Sequence, residues 1–275
     1  MVLPFTAGPV LATALETRSA AVSATASAGL WLGWALIVVA LLVPHPVGLT
    51  ALRVAATSSV AAVAAAAEES GGMASALAVA TTTVATALAF ASATGAWLVN
   101  GAAYGNERRH LLRPPLALLV APIPLAWALL VTGMAAGPLL LASGGVVAGT
   151  LALATGLPIA LVMARALHSL TSRWAVLVPA GLVIKDHLSL IDPVLLRRVD
   201  LEVLRPAPPG SDALDLTAGA PGLALEARLR EAVPLMRVVP GKRRGEAGRS
   251  AAMKFTPTRP GAVLTEARDR RIPVT

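Results

Sequence analysis

The sequence predicts an α-helical membrane bundle of about five spans, followed by a small cytoplasmic β-rich domain. Two observations favour this fold class. First, 56% of the 275 residues are hydrophobic, only 14% are charged and the mean hydropathy is +0.71, whereas soluble chains carry about 25% charged residues. Second, residues 1–169 contain only 6 of the 23 Lys and Arg and 4 of the 15 Asp and Glu. The chain therefore divides near residue 170 into a nearly uncharged part and a part with soluble composition.

The first part contains stretches long enough to cross a bilayer. A span needs about 20 apolar residues, because each residue of a helix covers ~1.5 Å of a hydrocarbon layer ~30 Å thick. After an N-terminal segment at 1–21, the bundle at 22–169 is predicted to contain spans at 22–43, 47–67, 73–99, 115–135 and 138–164. The second of these contains Arg53, which is costly in a bilayer, so a buried amphipathic helix competes with a span there. Gly137-Pro138 is expected to separate the last two spans.

The distribution of basic residues predicts the orientation. The loop at 100–114 contains Arg108, Arg109 and Arg113, and the exit of the last span contains Arg165 and Arg173. Short loops rich in Lys and Arg stay in the cytoplasm. We therefore expect a multi-pass protein of the cell (plasma, or inner) membrane with a cytoplasmic C-terminus. The side of the N-terminus depends on whether 47–67 spans the membrane.

The stretch "SRWAVLVPAGLVIKD" (172–186) begins the soluble part. Neither apolar half is long enough to span, both are rich in Val, Leu and Ile, and "PAG" is typical of a turn, which predicts a β-hairpin of 173–178 and 181–186. The next segments alternate between apolar and polar residues, best in "GLALEARLR", as half-buried antiparallel strands do. Further strands are predicted at 194–204, 212–217, 222–230, 234–240 and 251–258, and a closing helix at 259–271.

About seven short strands and one C-terminal helix at 170–275 resemble the bacterial pleckstrin-homology-like (PH-like) domains that follow transmembrane helices. The stretches that carry this resemblance are "RWAVLVPAGLVIKD", "VLLRRVDLEVL" and "FTPTRPGAVLTEARDRR". The resemblance rests on layout and implies a PH-like fold; an unrelated small α+β domain is the alternative. The membrane part resembles actinobacterial multi-pass proteins of unknown function, which implies no activity.

The residue types in the chain exclude several kinds of chemistry. The chain has no cysteine, which excludes disulfides, zinc–thiolate sites, iron–sulfur clusters and thiol catalysis. His45, His110, His168 and His187 lie on separate segments without metal-ligand spacing, so neither a metal nor a cofactor is predicted. Ser143 lacks the neighbouring general base that a serine nucleophile needs. No catalytic residues are therefore predicted.

Two basic segments are the candidate binding residues. Arg108, Arg109 and Arg113 lie in "NERRHLLR", and the Gly-rich segment 241–249 is expected to form a flexible loop. The predicted lipid-surface contacts of this second segment are Lys242, Arg243, Arg244 and Arg249. Each Lys or Arg near an anionic leaflet contributes ~1 kcal/mol of attraction, although merely solvated charges are the simpler alternative. Nucleic acid is not expected as a partner, because no aromatic residues interleave with these charges.

The leading functional hypothesis is a non-enzymatic membrane protein. Its cytoplasmic domain would bind lipid headgroups or a partner protein at the inner leaflet. A transporter subunit or small-solute permease is the first alternative, although its spans contain almost no ionisable residues to bind a polar substrate. A lipid-modifying enzyme is the second, and it would need paired acids and histidine near the membrane, which the sequence lacks.

Overall fold

The structure of the chain is a computed structural model that describes residues 3–239 and 242–275. It divides into two compact units. The helical unit comprises the residues up to Leu98 together with Ile123–His168, and the β unit comprises Val99–Pro122 together with Ser169–Thr275. The β unit therefore includes a segment, Val99–Pro122, that comes well before residue 170 in the sequence.

Long apolar helices dominate the first unit. In chain order, the helices are Leu3–Glu16 (α1), Ala20–Leu42 (α2), Pro46–Ser70 (α3), Gly72–Phe90 (α4), Ser92–Asn100 (α5), Leu116–Val120 (α6), Pro122–Ala142 (α7), Val146–Thr171 (α8) and Pro260–Asp269 (α9). By length and composition, α2, α3 as far as Glu68, α4, α7 and α8 can each cross a membrane. The prediction of about five spans is confirmed at this level, and the chain is a multi-pass membrane protein. The Arg53 stretch is one of the five.

Several helix boundaries differ from those predicted, for local reasons. The stretch 73–99 forms two helices, because Ala91 takes an extended conformation and the Thr94 hydroxyl donates to the Leu88 carbonyl at 2.7 Å. The helix α7 continues through Gly137-Pro138, as prolines in membrane helices often permit. The chain turns instead at Gly144, whose φ of +89° favours glycine. The N-terminal segment at 1–21 contains α1, for which no helix is predicted from the sequence.

Small residues bring the helices of this unit together. The helix α1 packs on α3 and α4 through a cluster of Ala7, Val10, Val63, Ala66 and Ala78. The helices α7 and α8 cross at Gly133 and Gly156, where a Cβ on Gly156 would lie 2.9 Å from the Gly133 carbonyl oxygen. The helix α8 also approaches α7 closely at Gly149, where an added Cβ would lie 2.7 Å from the backbone N of Leu141. Apolar side chains such as those of Trp31 and Leu36 remain exposed, as in a lipid-facing helix.

The β unit consists of two four-stranded sheets and the helix α9. Its strands are Arg108–Leu111 (β1), Trp174–Val178 (β2), Gly181–Lys185 (β3), Val194–Arg197 (β4), Leu201–Pro206 (β5), Leu214–Asp215 (β6), Leu225–Val239 (β7) and Lys242–Phe255 (β8). The sheet orders are β1-β2-β3-β4 and β5-β7-β8-β6. All neighbours are antiparallel except β6 and β8.

The predicted hairpin is confirmed as β2 and β3. Trp174 pairs with Lys185, and Val178 pairs with Gly181. A Cβ at Gly181 would overlap the carbonyl oxygen of Leu196 on β4, so this turn of "PAG" requires glycine. The closing helix is confirmed as α9, which buries Val263 and Ala267.

Other strands depart from the prediction. The stretch 194–204 divides into β4 and β5, and the predicted strands 222–230 and 234–240 form one strand, β7. The expected flexible loop at 241–249 lies almost entirely in β8, which pairs with β7 through Arg249 and Pro234 among others. The strand β1 was not predicted, because it lies in the expected cytoplasmic loop.

The core of the β unit lies between its sheets and under α9. Leu225, Ala227 and Leu229 of β7 point into it, as their alternation predicted, whereas Leu223 is half exposed. The buried cluster is otherwise built mainly from aliphatic side chains: Leu112, Ala175, Leu177, Leu182, Ile184, Leu190, Val194, Leu196, Leu201, Leu204, Leu216, Leu235, Met253, Phe255 and Ile272.

Candidate functional site

The outer parts of β7 and β8 form a long two-stranded arm, residues 230–239 and 242–250. The strand β5 pairs with β7 only as far as Leu229, and β6 pairs with β8 only at Met253 and Lys254. Beyond these points the arm is supported on one edge, where Ile191 N donates to Met236 O and Val238 N donates to Ser189 O, each at 2.9 Å. In the described part of the chain, no strand pairs with the other edge of β8 between Lys242 and Ser250.

One face of the arm is apolar with basic neighbours. Pro234 lies opposite Arg249, and Met236 lies opposite Ala247. Pro234, Ala247 and Arg249 are exposed, and Val238 on the same face of β7 is 39% exposed. The segment 230–250 contains six Lys and Arg and two Glu. An exposed apolar face with an excess of positive charge is typical of surfaces that bind anionic membranes.

The predicted contact residues of the arm have different environments. Arg249 is exposed, and its guanidinium donates to the Ala232 carbonyl at 2.6 Å, which holds it along the strand. Lys242, Arg243 and Arg244 begin β8, but their side chains lie outside the described residues. Arg237 and Glu246 approach each other at 3.8 Å across the arm.

The other predicted contact residues lie on or beside β1 and do not form one patch. Arg108 is exposed. Arg109 forms an ion pair with Glu107, and its guanidinium lies 4.7 Å from the ring centre of Trp174. Arg113 contributes main-chain bonds: its N–H donates to Thr256 O at 2.8 Å. Only Arg108 of these three therefore has a guanidinium that is both exposed and without an ion-pair partner among the described residues.

Trp174 organises the start of β2. Lys185 Nζ also lies 4.7 Å from its ring centre, so two cations flank the indole, and its Nε1 donates to Thr171 O at 2.7 Å. Cations placed over an indole face are stabilised by its quadrupole. The ring is thus fixed three residues after α8 ends.

A polar cleft of about 540 Å³ opens beside β1 and the end of α9. Its charged lining residues are Glu107, Arg108, Arg198, Glu266, Asp269 and Arg270. Arg270 pairs with Glu266 at 2.8 Å, and Arg198 donates to the Arg270 carbonyl at 3.4 Å. Three cations and three carboxylates give the cleft no preference for an anion. Sequence reasoning missed Arg198 and Arg270 here, and no local pattern marked them.

Two buried acidic groups stabilise the β unit. Asp186 accepts two hydrogen bonds from Arg173, at 2.6 and 2.7 Å, and both side chains are at most 1% exposed. Glu226 is fully buried and accepts hydrogen bonds from Ser211, Arg205 and Arg228. Burial alone would raise the pKa of Glu226, but these donors outweigh it and hold the pKa below its usual value. Both carboxylates therefore have a structural role, since each accepts buried hydrogen bonds from other segments of the β unit.

Both histidines of the β unit have a pKa below the usual value. Burial lowers the pKa of His110 on β1 to about 4, and burial also lowers the pKa of His187. The Nε2 atom of His110 is buried and has no hydrogen-bond partner among the described residues. Within the described part of the chain, no group of three or more His, Asp or Glu is arranged to hold a metal ion. The arm is consequently the surface whose chemistry points most clearly to a ligand.

Comparison of the chain with protein-family models, with curated proteins and with solved structures finds no match.

Proposed function

We propose that the protein is a non-enzymatic protein of the cell membrane that uses a cytoplasmic PH-like domain to bind anionic lipid headgroups at the inner leaflet. Two four-stranded sheets closed by a C-terminal helix agree with the PH-like layout. The observation that carries the proposal is the arm, with its exposed apolar face and its excess of Lys and Arg. In this proposal, five spans and a cytoplasmic C-terminus imply an N-terminus outside the cell.

The short connection to the membrane makes weak binding sufficient. The helix α8 ends at Thr171 and β2 begins at Trp174. Lys242, Arg243, Arg244 and Arg249 together supply a gross attraction of ~4 kcal/mol to an anionic surface, which corresponds to about millimolar affinity. A tethered domain meets the leaflet at a high effective concentration, so contacts of this strength suffice for binding.

A protein partner is the second candidate, and the open edge of β8 favours it. An extended peptide can add to such an edge as a further strand. The positive charge of the arm would select an acidic peptide. Binding of the arm to lipid headgroups depends on the lipid composition, whereas binding to an acidic peptide does not.

The absence of native cysteine permits a direct test. We expect Val238→Cys, labelled with an environment-sensitive fluorophore in the full-length protein, to shift to shorter wavelength in phosphatidylglycerol nanodiscs compared with phosphatidylcholine nanodiscs. The shift should be lost when Lys242, Arg243, Arg244 and Arg249 are all replaced by Gln, and it should weaken at high salt because exposed charges are screened.

Leu223→Cys provides the matched control, since Leu223 is half exposed but lies before β7 and outside the arm. Its label should not respond to lipid composition. Equal emission of the Val238 label in both lipids would contradict lipid binding and favour the protein partner.

A further inference from the structure

One end of the helical unit is cationic. Thr50 in the first turns of α3 hydrogen-bonds His168 near the end of α8, with 3.0 Å between Oγ1 and Nδ1. Arg53, one turn further along α3, donates from Nε to the carbonyl of Ala89 at the end of α4. Arg165 is exposed one turn before His168. These contacts bring the start of α3 and the ends of α4 and α8 to the same end of the unit.

The acidic residues of this unit lie away from that end. In sequence they are Glu16, Glu68 and Glu69, at the end of α1 and the far end of α3. The helix α1 packs against the second half of α3, so Glu16 belongs to the same end as Glu68. Among the described residues, the cationic end therefore has no carboxylate of its own unit to neutralise it.

Arg53 is the cation that most needs an anion. It lies seven residues after the start of α3, which is ~10 Å along the helix axis. Its guanidinium carbon lies 5.0 Å from the ring centre of Phe90, and that ring packs against Trp127. Among the described residues, Arg53 forms no ion pair, and Nη1 and Nη2 have no hydrogen-bond partner. A charged group among apolar side chains is destabilising until an opposite charge binds it.

We infer that Arg53 binds the phosphate group of an anionic lipid that enters between α3 and α4. A planar guanidinium can donate two parallel hydrogen bonds to phosphate oxygens. The Phe90 ring lies beside the guanidinium, and Ala89 O accepts the hydrogen bond from Nε, so the two terminal nitrogens are left for this ligand. Phe90 is 44% exposed and offers apolar contact to an acyl chain, which a soluble phosphate does not have. Basic sites between transmembrane helices bind anionic headgroups in this way.

The test uses the full-length protein, delipidated in mild detergent, with the four arm cations replaced by Gln. In this background, lipid binding by the arm is removed, so the two proposals succeed or fail separately. We expect phosphatidylglycerol to raise the apparent Tm and one molecule to remain bound in native mass spectrometry. Phosphatidylcholine and inorganic phosphate should do neither.

Arg53→Gln should weaken phosphatidylglycerol binding about ten-fold or more, a loss typical of a charge-assisted bond. Arg53→Lys keeps the positive charge but not the two parallel donors of the guanidinium, so it should bind with intermediate affinity. This variant also tests the inference if the Gln variant does not fold. Arg18→Gln, at the opposite end, is the matched control and should bind normally. Equal binding by the Arg53 variants and the control, or equal stabilisation by inorganic phosphate, would overturn the inference.

Discussion

At the scale of single residues, buried polar side chains join the strands of the β unit. Arg173 precedes β2 and Asp186 follows β3, so their ion pair closes the open end of the hairpin. Arg173 also donates to the Arg113 carbonyl at 3.0 Å, and Asp186 accepts from the N–H of Leu188 at 3.0 Å. The first and last charged residues of "RWAVLVPAGLVIKD" therefore form a buried ion pair and are not exposed to solvent.

Asp186→Asn should destabilise the β unit, because it leaves the buried Arg173 without its counter-charge. Breaking a buried pair in this way costs ~3–5 kcal/mol, and we expect the apparent Tm of the β unit to fall by on the order of 10 °C. Thermal unfolding of the full-length protein, monitored by Trp fluorescence, measures this fall in Tm.

Asp200→Asn is the control. It removes the exposed Arg197–Asp200 pair, in which the Arg197 side chain is 65% exposed, and exposed pairs contribute little. Replacing Arg173 by Met and Asp186 by Leu together should recover much of the lost stability. A double variant as unstable as Asp186→Asn would show that the charges themselves are required.

At the scale of elements, packing against a neighbouring helix determines where a helix continues and where two helices cross. The helix α7 passes through Gly137-Pro138 and packs closely on α8, where a Cβ at Gly137 would lie 2.8 Å from Leu153. Glycine at 133, 137 and 156 therefore permits backbone contact, as small residues do in membrane helices. The glycines at 29 and 33 in α2 have no atom within 4 Å of an added Cβ among the described neighbours.

Gly133→Ala should destabilise the helical unit by ~1–3 kcal/mol, the usual effect of overpacking, because its Cβ would overlap the Gly156 carbonyl oxygen. Gly33→Ala should be neutral or slightly stabilising, since Ala favours helix by ~1 kcal/mol and meets nothing. Heating followed by size-exclusion chromatography in detergent compares the two. Equal loss of folded protein from both variants would argue against the crossing at Gly133.

At the scale of the whole molecule, a membrane hairpin is inserted between two paired strands. The strand β1 pairs with β2, from Arg108 opposite Leu177 to Leu111 opposite Trp174. The chain between them contains α6, α7 and α8. Leu112 then joins the core of the β unit, and Arg113 N donates to Thr256 O. The β unit is therefore incomplete without the segment that precedes α7.

We expect a fragment of residues 172–275 to be unstable, because it lacks β1 and exposes the edge of β2. A fragment that joins residues 105–114 to 172–275 through a short Gly-Ser connection should be monomeric and mainly β. Size-exclusion chromatography and circular dichroism compare them. Leu112→Asp in the joined fragment is the control. It should remove the stability that the added segment provides, since Leu112 is 4% exposed. Equal stability of the fragments with and without β1 would make β1 dispensable.

Hydropathy and charge were enough to place five apolar helices before a β-rich region, because burial in lipid requires about 20 apolar residues in succession. They also located the hairpin of β2 and β3 and the helix α9, whose patterns are local. They did not find β1, since four residues rich in Arg in a short loop become a strand only when β2 offers a partner. For the same reason the pattern of "GKRRGEAGR" predicted a flexible loop, whereas β7 pairs with its backbone between Lys242 and Arg249. The environment of Arg53 likewise depends on α4, which brings Phe90 and Ala89 beside it from 36 or more residues away. Contacts between residues distant in sequence decided these features, and local periodicity does not encode such contacts.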